Sequence, residues 1–238
     1  MPEAIQVKKL YKLYRLGEET VRALNGVDFT IQKGEFCAIT GTSGSGKSTL
    51  LNMLAGLEKP TGGQVIISGC HIETMNEEEL VRFRGRHVGF IFQSYQLIST
   101  LDALENVALP LSFRGVKRKE RMKKADRMLG RVKLTKYKKH LPSQMSGGQQ
   151  QRVGVARALV MEPDIIFADE PTGNLDSRTS REVMDLMKEA VKEQGCTLVM
   201  VTHDPELAAE ADRIIHIVDG EIVSIEEKKK ESTNEKMV

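Results

Sequence analysis

No apolar run in these 238 residues approaches the ~20 needed to span a bilayer. The N-terminus, MPEAIQVKKLYK, lacks the basic-then-apolar pattern of a secretion signal, and none is expected. Cysteine is scarce: Cys37, Cys70 and Cys196 are odd in number and far apart. They offer neither a disulfide framework nor a metal-ligand spacing, and reduced thiols in a cytosolic protein are expected. No internal repeat is visible. What is present is ordinary for a globular chain: 40% hydrophobic and 29% charged residues, enough for one large α/β domain or two small ones.

The net charge of +2 hides an asymmetry. Between Arg114 and His140 lie 13 Lys/Arg and 2 Asp/Glu, a local +11 that leaves −9 for the remainder. The last stretch, EEKKKESTNEKMV, is charged and almost free of apolar residues, so 227–238 is expected to be a disordered tail.

The pattern reads as α/β. Glu35–Thr40, Val65–Ser68, Val88–Phe92, Ile165–Ala168 and Leu198–Thr202 are expected strands. Leu50, Leu51, Leu54 and Leu57 give Lys47–Leu57 a helical spacing, broken by Pro60 and Gly62-Gly63. Arg213–Val218, Asp-Gly, and Glu221–Ile225 form a hairpin pattern. Residues 4–32 predict two or three strands, broken at Gly17 and turned at Lys33-Gly34. From Gln93 to Val160 strand signals stop, and Met122, Ala125, Leu129 and Val132 form an apolar helical stripe. A mostly helical insertion of about 65 residues in an α/β core is the simplest organisation.

Three segments carry chemistry. Gly41-Thr-Ser-Gly-Ser-Gly-Lys-Ser48 matches GxxxxGK[ST] between a strand and a helix. Its glycines (Gly41, Gly44, Gly46) let backbone N–H groups turn toward phosphate oxygens at the positive end of a helix. Lys47 would reach the β/γ-phosphates, and the Ser48 hydroxyl would ligate Mg²⁺. The second segment, Asp164–Glu170, is an apolar strand ending in two carboxylates. Alone, such a pair is more often a loop or helix cap; beside a P-loop, Asp169 suits the Mg²⁺ shell and Glu170 suits a base for the attacking water. In the third, Met145-Ser-Gly-Gly-Gln149, Ser146 and Gln149 have capping-box spacing. A well-capped helix needs nothing more. Yet Gly147 and Gly148 leave that helix end bare, so an outside phosphate could meet its N–H groups and Ser146.

With these three segments in this order, the chain resembles the nucleotide-binding subunit of an ABC transporter, from residue 5 to about 226. The resemblance implies a P-loop (RecA-like) core with an N-terminal antiparallel β subdomain and an inserted α-helical subdomain at about 94–160, within one ATPase domain over 1–226. It implies that residues 41–48 with Thr49 bind ATP and Mg²⁺. Gln93 matches the Q-loop, touching Mg²⁺ and the attacking water. Asn174-Leu-Asp176 matches the D-loop that crosses a dimer interface, His203 the switch histidine, and Tyr14 the aromatic that stacks on adenine. Singly, Gln93, His203 and Tyr14 also read as ordinary polar or packed residues near strands; order and spacing carry them. Thr42 stands where many members have proline, and Met145 where leucine is usual; neither removes a ligating group.

The implied mechanism is shared between two copies. One supplies Lys47, Ser48, Gln93, Asp169, Glu170 and His203, and the other Ser146 with Gly147, Gly148 and Gln149. The segment Gln93-Ser-Tyr-Gln-Leu-Ile with Thr100–Leu111 is similar to ATPases of the lipoprotein-release, macrolide-export and cell-division group, which drive a separate membrane permease that exports or extracts substrate. A cytoplasmic position on the inner face of the cell membrane is implied. The basic tract reads first as a solvated helix face, with anionic lipid headgroups as a candidate partner and nucleic acid as the disfavoured rival. The alternative function, a soluble ABC-type ATPase acting on DNA or ribosomes, would call for long coiled-coil or zinc insertions, or two ATPase units. One P-loop, one SGGQ, no heptad array and no cysteine cluster argue against it.

Overall fold

The N-terminal segment forms a long antiparallel ribbon in the computed structural model, which describes residues 2–17 and 19–228. Strand β1 (Glu3–Leu16) pairs with β2 (Glu19–Gln32) along its length. Ile5, Val7 and Leu10, the last two separated by a register shift at Lys8-Lys9, are buried with Leu24, Val27, Phe29 and Ile31. Strand β4 (Gly62–Ile67) adds antiparallel to β1, and the short β5 (Cys70–His71) completes the order β2-β1-β4-β5. The expected strand at 65–68 therefore belongs to this sheet, paired with a segment some 60 residues earlier.

The second sheet has the order β10-β9-β3-β8-β7-β6. Strands β3 (Phe36–Thr40), β6 (Val88–Ile91), β7 (Ile165–Asp169), β8 (Thr197–Val201) and β9 (Arg213–Val218) run parallel. Strand β10 (Glu221–Glu227) closes the edge antiparallel to β9 through Asp219-Gly220. The central strands are apolar throughout because both faces are covered. Ile165, Phe167, Val199 and Val201 enter a core shared with the first sheet and helix α1 (Lys47–Leu54). Their alternates Ile166, Ala168, Leu198 and Met200 enter the opposite core. That core is filled by α3 (Ala103–Phe113), α4 (Arg118–Arg131), α5 (Gly147–Leu159) and α6 (Ser177–Gln194). Truncating the fully buried Phe167 to alanine would cost about 3–5 kcal/mol.

Between β6 and β7 the described chain holds three α-helices, two 3-10 turns and no strand, in agreement with the helical insertion. Of the expected stripe, Ala125, Leu129 and Val132 are buried and Met122 packs against them. Helix α1 ends at Leu54 rather than Leu57, and Gly56 follows with φ +64°. Three helices lie outside those expected. Helix α2 (Glu77–His87) starts from an Asn76–Glu79 capping box, with Glu77–Glu79 in its first turn and Arg84, Arg86 and His87 in its last. Helix α6 starts at Asp176 and stops at Gly195. A short helix, α7 (Pro205–Ala208), follows β8. Of the expected tail, Glu227 closes β10 and the Lys228 N–H donates to Asp212 O over 2.8 Å. Residues 229–238 lie outside the described residues.

Candidate functional site

Four adjacent parallel strands, β3-β8-β7-β6, end on one edge of the sheet. Each hands on to a residue expected in the site: Thr40 to Gly41, Val201 to His203, Asp169 to Glu170, and Ile91 to Gln93. Sequence segments as far apart as Gly41 and His203 thus converge because parallel strands place their C-terminal ends together.

The P-loop opens α1 without a side-chain cap. Gly46, at φ +98°, is the residue before the helix, and a Cβ there would lie 2.4 Å from Ala23 O, so only glycine fits. The first N–H groups of α1 are left for an external acceptor. Lys47, 7% exposed, donates through Nζ to Gly41 O over 2.9 Å and Thr42 O over 2.6 Å. An ammonium has three protons, so one remains for another acceptor. The Ser45 N–H donates to Thr42 O, and Gly220 of the β9–β10 turn donates to Ser45 O over 3.1 Å. Ser45 Oγ is buried with no hydrogen-bond partner among the described residues. Ser43, Gly44 and Ser48 are exposed around this rim.

Opposite lie the carboxylates. Burial and the neighbouring Glu170 charge raise the Asp169 carboxyl above its ordinary range, while a Ser48 hydrogen bond and the Lys47 charge pull it down. Ser48 and Asp169 therefore lie close together across the P-loop. Glu170 has φ +42°, and its N–H donates to Val201 O over 3.0 Å, tying it to β8. Its Oε1 lies 3.1 Å from His203 Nδ1. A Cβ on Gly173 would lie 2.8 Å from Gln93 Nε2 and 3.3 Å from Glu170 Oε2. Gln93, Glu170 and His203 thus surround one small volume.

Tyr14 sits at the start of α1. Its hydroxyl donates to Glu58 Oε2 over 2.8 Å and also meets Thr49, and burial followed by the Glu58 contact raises its pKa. Lys12 lies 5.0 Å from the ring centroid and pairs with Glu58 over 2.7 Å.

The remaining expected residues stand apart from the P-loop. Ser146 caps α5: its Oγ accepts from the Gln149 N–H over 3.3 Å, and Gln149 Oε1 accepts from the Ser146 N–H over 3.0 Å. A Cβ on Gly147 would meet Tyr95 and Leu175, and one on Gly148 would meet Thr179. Ser146 itself is exposed. Asp176 caps α6, accepting from the Thr179 N–H over 3.0 Å, and its bonds with Thr179 lower its pKa.

Several contributors were not anticipated. Arg157 of α5 donates to the carbonyls of Tyr95 and Gln96, and Asn174 Nδ2 donates to Gln93 O over 3.1 Å. The segment after Gln93 is thereby held from two sides. The one visible hint was a lone arginine in the apolar run Val153–Val160. Lys12 and Glu58, 46 residues apart, gave none.

The residues fit a nucleotide and Mg²⁺. An uncapped helix end, the unpartnered Ser45 Oγ and the remaining Lys47 proton are donors suited to phosphate oxygens. Among the described residues no cluster of three or more His, Cys, Asp or Glu could hold a metal by itself. Ser48 and Asp169 offer the hard oxygens that Mg²⁺ takes one or two at a time, with phosphate and water completing its shell.

The family described as "ABC transporter" matches residues 24–173. An ABC transporter ATP-binding protein of Thermotoga maritima is 47% identical over 226 residues, which cover 95% of this chain and 96% of that one. Lipoprotein-releasing system ATP-binding protein LolD 1 of Rhodopseudomonas palustris is 44% identical, with 93% and 99% covered. A solved dimer of the ATP-binding cassette MJ0796, in a post-hydrolysis state with ADP and Pi, superposes with a TM-score of 0.88 at 44% identity, covering 95% of this chain and 99% of that one. No helix among the described residues is long and apolar enough to cross a membrane.

Proposed function

The chain belongs to the ABC transporter family, and we propose that it is the ATP-hydrolysing subunit that drives a separate membrane permease. The observation that carries this reading is the meeting of Gln93, Glu170 and His203 beside the P-loop, while Ser146 faces outward from the same chain. Such an arrangement is half of two sites. A second copy, head to tail, would bring its Ser146-Gly147-Gly148-Gln149 helix end to the phosphate held by Gly41–Ser48 and Thr49.

In that site Lys47 and the bare N-terminus of α1 hold the phosphates. Ser48, Asp169 and Gln93 would hold Mg²⁺, which would neutralise charge on the phosphate oxygens. Glu170 takes a proton from the attacking water, and His203 steadies Glu170 through Nδ1. Tyr14 offers its ring to adenine, and Asp176 sits at the seam between the copies. Most of the acceleration comes from positioning and charge.

A cleft of about 980 Å³ beside the segment after Gln93 suits the permease. Val81, Phe90, Phe92, Phe113 and Met161 make it apolar, and Arg157, which holds Tyr95 and Gln96, lines it as well. Occupancy there would be felt directly at Gln93. We place the protein in the cytoplasm, on the inner face of the cell membrane, and assign export or extraction of substrate to the permease.

Glu170→Gln tests the reading. The variant should bind ATP, accumulate as a dimer, and hydrolyse about 10²–10⁴-fold more slowly. A monomer at saturating ATP that hydrolyses at the parent rate would overturn it.

A further inference from the structure

Helix α4 carries Lys119, Lys123, Arg127 and Arg131 four residues apart, which aligns them in one outward stripe. Ala125, Met128 and Leu129 occupy the buried side. Arg131 pairs with Glu193, Lys138 with Asp126 over 2.8 Å and Lys139 with Asp102 over 3.1 Å. Lys119, Lys123 and Arg127 find no carboxylate among the described residues, and Lys117, Lys124, Lys133 and Lys136 are exposed beside them.

Like charges at this spacing destabilise a helix. Elsewhere like charges at this spacing, Arg82 and Arg86 on α2 and Asp185, Glu189 and Glu193 on α6, are interleaved with opposite charges. Arg82 pairs with Glu78 on α2 over 3.0 Å, and on α6 Arg178 pairs with Glu182 and Lys188 with Asp185. A merely solvated face gains nothing from one sign of charge, so the stripe on α4 points to an external array of anions.

We infer that the outward face of α4 binds the anionic headgroup surface of a lipid bilayer. This rests on the proposed transporter role only for the nearness of a bilayer. Lysine is a compact charge on a flexible stem, suited to mobile headgroups. Nucleic acid fits less well: α4 shows outward no Asn or Gln to read base edges and no row of aromatics to stack on.

The test is flotation of the full chain with phosphatidylcholine vesicles, with and without about one-third phosphatidylglycerol. The protein should float only with the anionic vesicles and lose them at high salt. Neutralising the unpaired stripe (K119Q/K123Q/R127Q) should lower partitioning about ten- to a hundredfold. The triple variant should hydrolyse ATP in lipid-free solution at the parent rate, which shows that it folds. Equal flotation on neutral vesicles, parent-like flotation of the triple variant, or tighter binding to duplex DNA at matched phosphate concentration would each overturn the inference. If flotation fails while Glu170→Gln still dimerises with ATP, only the lipid surface falls.

Discussion

Arg157 Nη2 donates to Tyr95 O over 2.9 Å, and Nη1 reaches the next carbonyl, Gln96 O, over 2.6 Å. Both acceptors belong to left-handed, non-glycine residues, at φ +59° and +46°. A guanidinium fork can bridge two such carbonyls, whereas an ammonium reaches them only as a point charge. Burial lowers the Arg157 pKa, so its charge is held at a cost that the two carbonyls help to offset. The helix that carries Arg157 carries Ser146 at its other end, about 16 Å away. The segment after Gln93 is therefore fastened to the element proposed to serve the partner's nucleotide.

Arg157→Met should lower kcat for ATP about ten- to a hundredfold, with a much smaller change in KM. Arg157→Lys should recover only part of the loss. Steady-state hydrolysis with a parallel nucleotide-binding titration checks this. A change confined to KM would mean that the clamp serves binding rather than alignment.

Gly147 touches Tyr95 through space that a side chain would need: a Cβ there would lie 2.7 Å from the tyrosine hydroxyl. Gly147→Ala should therefore lower both stability and hydrolysis. Adding Tyr95→Phe removes the clashing oxygen and should restore the melting temperature. It should not restore hydrolysis, because the added methyl group still covers the helix end offered to the partner's phosphate. Recovery of both would reduce the Ser146–Gln149 segment to an internal cap.

The difference between what could and could not be read from the chain is largely one of range. The P-loop, the strand before Asp169 and the hairpin at Asp219-Gly220 are legible because each is a local pattern of apolar runs, glycines and turn residues. Helix α2 is hidden because only Leu80 and Phe83 of its charged sequence are buried. Helix α6 has an apolar stripe at Val183, Met187, Ala190 and Val191, but its first turn and a half is polar and masks the onset. The antiparallel partnership of β4 with β1, the Arg157 clamp and the Lys12–Glu58 pair join distant residues through geometry that carries no local period. Gln93 and His203 were legible only as members of an order; their contacts around Glu170 are tertiary.

Asp169 sets function against stability. Its raised pKa means that folding disfavours the ionised carboxylate when no cation shares the site. A raised folded-state pKa adds stability below the unfolded value, and that stability is lost as pH rises through the folded value. At neutral pH the parent therefore bears a cost that Asp169→Asn removes. The variant should melt a few degrees higher in the absence of nucleotide, and the gap should close in acid, where the carboxyl is protonated in both states. Its Mg²⁺-dependent hydrolysis should be lost. Thermal melts across pH, paired with activity assays, check both halves, and a lower melting temperature for Asp169→Asn at neutral pH would contradict the assignment.

Tyr14 separates two contributions to nucleotide binding. Its hydroxyl is bound to Glu58 and lies near Thr49 of α1, and Lys12 sits over its ring. Tyr14→Phe keeps the ring and breaks the Glu58 bond, which leaves Glu58 still paired with Lys12. Tyr14→Ala removes the ring. If the ring stacks on adenine, a loss of about 1–3 kcal/mol is expected from its removal, a rise in the KM for ATP of roughly five- to a hundredfold. Tyr14→Phe should change KM by less than about threefold, and neither variant should alter kcat by much. Nucleotides with a smaller base should respond less to Tyr14→Ala than ATP does, because a smaller ring offers less area to stack. Equal losses in the two variants would assign the effect to the hydroxyl and its hold on Glu58, and would remove Tyr14 from the base-binding surface.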